Sequence, residues 1–108
     1  MPYPRQDEPA FVALSRFVVT NGMEEAVKTA FRARPHRVDD APGFLRMDVL
    51  SPADRDEELW LLTYWTDRQS FEAWHHGHSY HEAHLGIPAG LKLNPAETQL
   101  RFFAHVTS

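Results

Sequence analysis

The side chains with obvious chemistry are crowded into one stretch. Five of the seven histidines lie between His75 and His84, in the run WHHGHSYHEAH. Histidines three or four residues apart on a helix can chelate zinc, and one neutral imidazole at the rim of an apolar cavity can ligate a haem iron. His75, His78, His81 and His84 repeat every three residues. Each step turns a side chain by about 300° on an α-helix, so the first and last end on opposite sides. No acidic or thiolate third ligand stands at a recognisable spacing. Most of the cluster therefore reads as a wet helix surface, with one histidine at most in a ligand role. Trp74 lies ten residues before His84. An indole there serves either as core filler or as one wall of a flat pocket, and spacing alone does not separate the two.

The second candidate is Ser15. It stands on a strand face otherwise built from Phe11, Ala13, Phe17 and Val19. One hydroxyl on such a face either bonds to the backbone or marks where a ligand meets the sheet. No G-x-S-x-G elbow surrounds it, so it does not read as a nucleophile. No phosphate loop, dinucleotide fingerprint or paired-carboxylate pattern occurs, and the chain has no flavin or nicotinamide motif.

The elements that must carry these residues follow from periodicity. FVALSRFVV (residues 11–19) alternates as a strand. Thr20, Asn21 and Gly22 turn the chain, and Asn21 with Glu24 resembles a capping box. Met23, Ala26, Val27, Ala30 and Phe31 then fall on one face of a helix, which Pro35 should kink or end. FLRMDVL (44–50) and ELWLLTYW (58–65) read as a hairpin whose second strand is apolar on both faces and so central. Thr66 with Gln69 caps a second helix that buries Phe71, Ala73 and Trp74; Gly77 interrupts it, and a further turn holds residues 78–85. After a loop at 86–95, TQLRFFAHV (98–106) closes the chain as a strand. The expected fold is α+β and ferredoxin-like: a β-α-β-β-α-β antiparallel sheet with helices on one face.

Composition sets the frame for those elements. The chain has 108 residues, 43% of them hydrophobic, and a net charge of −4 with histidine neutral. One domain at 10–108 is expected, preceded by a flexible tail at 1–9. The negative charge argues against nucleic acid as a partner. No apolar run approaches the ~20 residues of a membrane span. The absence of cysteine excludes thiolate sites and suits a reducing compartment, so the cytoplasm is expected. A domain this small leaves apolar surface poorly covered, which favours a homodimer.

The stretch LLTYWTDRQSFEAWHHGHSYHEAH (61–84) resembles the strand–helix core of the antibiotic-biosynthesis-monooxygenase superfamily. A strand ending in Trp, then Phe-x-x-Trp, then a downstream His is most like the IsdG-type haem-degrading monooxygenases. Residues 31–52 are similar to the same group through Phe-x-x-Arg and the Pro-Gly-Phe-Leu turn. The resemblance spans residues 11–106 and implies a dimeric α+β barrel with haem between helices and sheet. It further implies that His84 is the axial ligand of the haem iron, that Trp74 presses on the macrocycle, and that Arg34 lies near the propionates. Where the family carries Asn-Arg on its first strand, this chain has Ser15-Arg16. Serine is shorter and offers one donor where the amide offers two.

Three functions compete on these residues. The first is a haem-binding, haem-degrading monooxygenase using His84, Trp74, Ser15 and Arg34. The second is a cofactor-independent monooxygenase of a small aromatic phenol or quinol, with His84, His81 or Tyr64 as the base. The third is a non-catalytic dimeric binding module.

Overall fold

The computed structural model describes residues 9–33, 40–76, 88 and 90–107. Within them the order is β1 (Phe11–Val18), α1 (Glu24–Arg32), β2 (Phe44–Leu50), β3 (Glu58–Trp65), α2 (Arg68–His75) and β4 (Gln99–Ala104). The strands form one antiparallel sheet in the order β2-β3-β1-β4. This is the expected β-α-β-β-α-β arrangement.

Strand alternation divides the sheet into two faces. Cross-strand partners put Phe11, Ala13, Ser15 and Phe17 in rows with Leu59, Leu61, Thr63 and Trp65, and with Leu100 and Phe102. This face carries both helices and holds two apolar clusters. At the α2 end, Phe11, Ala13, Trp65 and Phe71 pack with Phe44 and Trp74. At the α1 end, Val19, Val27 and Leu59 pack with Phe17, Met23, Phe31 and Leu91. Trp65, Leu59 and Val27 are fully buried, and burying each such side chain stabilises the fold by about 1.5–3 kcal/mol. Ser15 lies on β1 between Ala13 of one cluster and Phe17 of the other, so the row Ser15–Leu61–Leu100 falls between the two packed ends.

Local details differ from the sequence expectation. Asn21 does not cap α1: Met23 occupies that position without a side-chain bond, and the Asn21 amide donates to the Gly90 carbonyl at 2.8 Å. Thr66 does not cap α2. Asp67 does, accepting from the Ser70 N–H at 2.7 Å, a bond that lowers its pKa. Ala26 and Ala73 are exposed, and the buried residues of the two helices are Val27 and Phe71. Gly43 brings β2 against the start of α2 with φ +80°, where a Cβ would collide with Ser70 Oγ and lie 2.8 Å from Thr66 Oγ1. The fourth strand is an edge strand with all six residues exposed, so β1 and β3 are the central pair. The Pro35 kink, the Gly77 break and the turn at 78–85 lie outside the described residues.

Candidate functional site

Ser15 opens onto a cavity of about 230 Å³ in the gap between the clusters. Its walls are largely aliphatic and aromatic, with Phe31 from α1, Leu61 from β3 and Leu100 from β4. Thr98 and Gln99 add polar groups beside Ser15, Arg16 borders the cavity although its guanidinium bonds to Glu58, and no carboxylate is among the described lining residues. A mostly apolar recess with a few placed polar groups is the usual build of a small-molecule site. The period-2 pattern of 11–19 marked Ser15 as the polar exception on its face, and the cavity is where that face is open.

Residues 90–94, a loop by the sequence pattern, complete the wall through Leu91 and Leu93. This strap is held along its back to the β1–α1 turn. The Thr20 N–H donates to the Lys92 carbonyl at 2.9 Å, the Asn94 N–H donates to the Val18 carbonyl at 2.9 Å, and Val19 and Leu93 form an isolated β-bridge. The anchoring sends Leu91 and Leu93 to the cavity. A usable signal was present: Leu-Lys-Leu alternates like a strand, which puts both leucines on one side.

Trp74 lies elsewhere on the same sheet face. Its ring centroid is 5.5 Å from that of Trp65 and 6.4 Å from that of Phe71, and it is half-buried in the α2-end cluster. It does not line the Ser15 cavity, so Ser15 and Trp74 share a face without sharing that recess. His75 stacks on Phe71 with centroids 5.3 Å apart, and His76 is exposed. Among the described residues no His, Cys, Asp or Glu cluster has metal-binding geometry. His84, His81 and Arg34 lie outside the described residues.

The opposite face takes no part in the α1 and α2 clusters and has a different chemistry; the 3-10 turn Pro95–Glu97 reaches it through Glu97. Val12, Leu14, Leu62, Tyr64 and Phe103 make its apolar centre. Tyr64 is on this side, paired with Val12, under the Arg46 guanidinium 4.4 Å from its ring. That placement removes Tyr64 as a base for anything bound at Ser15, because the sheet stands between them. Arg16 of the Ser15-Arg16 pair also points here. Its Nε and Nη2 donate to the two Glu58 oxygens, each at 3.1 Å, while Arg55 donates to both Glu97 oxygens at 2.9 Å. Arg55 Nη1 reaches Glu58 at 3.2 Å, joining the pairs into one network. The hydrogen bonds from Arg16 and then from the Trp60 indole hold the Glu58 carboxyl down to about 2. Glu97 is lowered by Arg55 in the same way. These partners lie 3 to 42 residues apart in the chain, and no sequence motif announces them.

Comparison with known proteins gives this geometry a context. The family model described as antibiotic biosynthesis monooxygenase matches residues 10–85. Curated relatives from Mycobacterium tuberculosis named haem oxygenase (mycobilin-producing) are 31% identical over 87 residues, covering 81% of this chain and 78% of theirs. Among solved structures, the haem-degrader MhuD of the same organism, with two haems bound in its active site, superposes with TM-score 0.73 at 28% identity. That match covers 91% of this chain and 97% of MhuD. SnoaB of Streptomyces nogalater, a cofactor-independent oxygenase, superposes with TM-score 0.72 at 18% identity, covering 94% of this chain and 97% of its own, a likeness of fold.

Proposed function

Because the chain belongs to the antibiotic biosynthesis monooxygenase family, we propose that it is a haem-binding monooxygenase that degrades haem. The observation that carries this is the Ser15 cavity: a mostly apolar recess, with no carboxylate among its described lining residues, on the helix-bearing sheet face of a chain 31% identical to haem oxygenases. The described lining suits part of a flat porphyrin, whose rings want aliphatic and aromatic walls and whose carboxylates would be repelled by acidic ones; at about 230 Å³ the recess would hold one portion of the macrocycle, the rest extending along the sheet face. Haem supplies the redox-active iron for the oxygen chemistry. The protein supplies binding, orientation and exclusion of water.

In this reading His84 would ligate the iron and Arg34 would pair with the propionates, while Trp74 would meet only the part of the macrocycle that extends past the Ser15 cavity to the α2-end cluster. Ser15 offers one hydroxyl donor from the sheet. Phe31 and the leucines keep water from the ring faces. The active unit is a homodimer of the 10–108 domain, in which the sheet faces opposite α1 and α2 pack together as an α+β barrel. Phe103 is exposed and Leu62 half-buried beside Val12 and Leu14, which the chain itself already buries, and the Arg16–Glu58 and Arg46–Asp48 pairs rim them, an apolar centre with a polar edge that suits an interface. We assign the protein to the cytoplasm; it has no cysteine, and no helix among the described residues is long and apolar enough to cross a membrane.

Titration with hemin tests the reading. A stoichiometric shift of the Soret band is expected, and His84→Ala should lose the five-coordinate spectrum while His75→Ala and His76→Ala keep it. Equal loss from all three would mean nonspecific capture by the histidines. Ser15 where the haem-degrading group of the resemblance carries Asn suits a non-catalytic binding module, and the other competing reading is a cofactor-independent oxygenase of a phenol or quinol. Absence of any Soret shift would bring that reading forward, with His81 or His84 as its base.

A further inference from the structure

The strap at 90–94 does more than finish a wall. We infer that Leu93 is a specificity-determining residue that sets how large a planar ligand the Ser15 cavity admits. The inference rests on the reading that this cavity is the ligand site, and it goes beyond it by naming what fixes the site's width.

Leu93 and Leu100 both line the cavity, yet Leu93 is 40% exposed and Leu100 49%. Large apolar side chains that are at once lining and exposed mark the mouth rather than the floor. The floor belongs to residues such as Val27, which is 1% exposed. The two leucines sit on different supports: Leu100 on the edge strand β4, Leu93 on the strap. Both therefore stand where a ligand entering from this side would meet the rim.

The strap gives Leu93 its leverage. The residues on both sides of it are tied to β1 and its turn, Lys92 through its carbonyl to the Thr20 N–H and hydroxyl (2.9 and 3.2 Å) and Asn94 through its N–H to the Val18 carbonyl (2.9 Å). The Asn21 amide holds the Gly90 carbonyl at 2.8 Å, and the Asn94 side chain accepts from the Ala96 N–H at 3.0 Å. With its flanks fixed, the strap cannot retreat to make room, so added bulk at position 93 goes into the mouth and removed bulk widens it. A preorganised rim of this kind selects by shape, because misfit cannot be relieved by backbone movement. Leu91 is less suited to the role, since it also packs on the Val19–Val27–Leu59 cluster and changing it would disturb the core.

The test compares one large and one small planar probe on the full chain: hemin, read by its Soret band, and 2-naphthol, read by calorimetry. The variants are Leu93→Trp, Leu93→Ala and, as a control, Val106→Ala at a position 91% exposed. Position 93 is well exposed, and melting curves verify that each variant folds. Leu93→Trp should weaken hemin binding by about tenfold or more while changing 2-naphthol by less than about threefold, the range over which shape discriminates in apolar pockets. Leu93→Ala should bind hemin at least as tightly as the parent, and Val106→Ala should match it on both probes. Hemin binding that Leu93→Trp leaves unchanged overturns the inference and leaves the proposed function standing. Failure of the parent to bind hemin, with 2-naphthol bound and hemin gained by Leu93→Ala, removes the haem reading and supports the size gate. Binding of neither probe by any variant overturns both.

Discussion

Ser15→Asn is the sharpest probe of the proposed chemistry. Ser15 is half-buried in the row Leu61–Ser15–Leu100 and opens onto the 230 Å³ cavity, so the longer side chain has space to enter without displacing either cluster. The amide brings two donors and one acceptor. Left wholly unpaired in a dry site, such a group costs about 1–3 kcal/mol. Thr98 and Gln99 stand beside the recess and the mouth is open, which puts the cost near the low end, about 1 kcal/mol or a melting-point drop of about 4 °C for a domain of this size. Against that stands the catalytic gain. A preorganised donor aimed at developing charge is worth on the order of a hundredfold in evolved sites, and an unevolved one about tenfold. The effect should fall on turnover rather than on binding, since the donor meets its charge only as the reaction proceeds. The assay is the Soret decay rate under ascorbate and oxygen, with catalase present, beside the hemin affinity of both proteins. A variant whose affinity shifts as much as its rate, or whose rate is unchanged while the parent turns over slowly, would refute the argument.

Two further outcomes follow from the sheet face opposite α1 and α2. Light scattering at micromolar concentration should give twice the 12.5 kDa chain mass, and Phe103→Glu, which sets a charge into the apolar centre of that face, should return the single-chain mass; a monomeric parent would exclude the dimer. Acid stability should carry the signature of Glu58. Its carboxyl is lowered from an ordinary 4.5 to about 2 in the folded state, so its contribution is fully present above pH 4.5 and is lost as pH falls through about 2. Chemical denaturation at stepped pH should show that loss in the parent and a flatter acid limb in Glu58→Gln; parallel curves would mean that the Arg16–Glu58–Arg55 network is not linked to folding.

The order of elements, their approximate bounds and the antiparallel hairpin were legible in the sequence because each rests on local period, on turn residues or on chain length. Ser15 was legible for the same reason: alternation fixes which residues share a face, and a lone hydroxyl among Phe11, Ala13, Phe17 and Val19 stands out. Local pattern does not say which face meets the helices when both faces of a strand are apolar. Tyr64 and Trp65 are neighbours of similar character, and only the packing of Trp65 against Phe44, Phe71 and Trp74 puts Tyr64 on the far side of the sheet. Caps were ambiguous because Thr66 and Asp67 both carry suitable oxygens one residue apart, and the bond to Ser70 chooses between them. Strand order, and with it the exposed edge of β4, depends on pairings across most of the chain. The Arg16–Glu58–Arg55–Glu97 network and the bonding of residues 90–94 to the β1–α1 turn depend on such distant pairings too. Loop-closure entropy has to be repaid by the whole set of long-range contacts at once, so no short window of residues encodes them. Local sequence determined the strands and helices and the polar residue on β1; the tertiary structure decided that this residue faces a cavity, and which leucines close it.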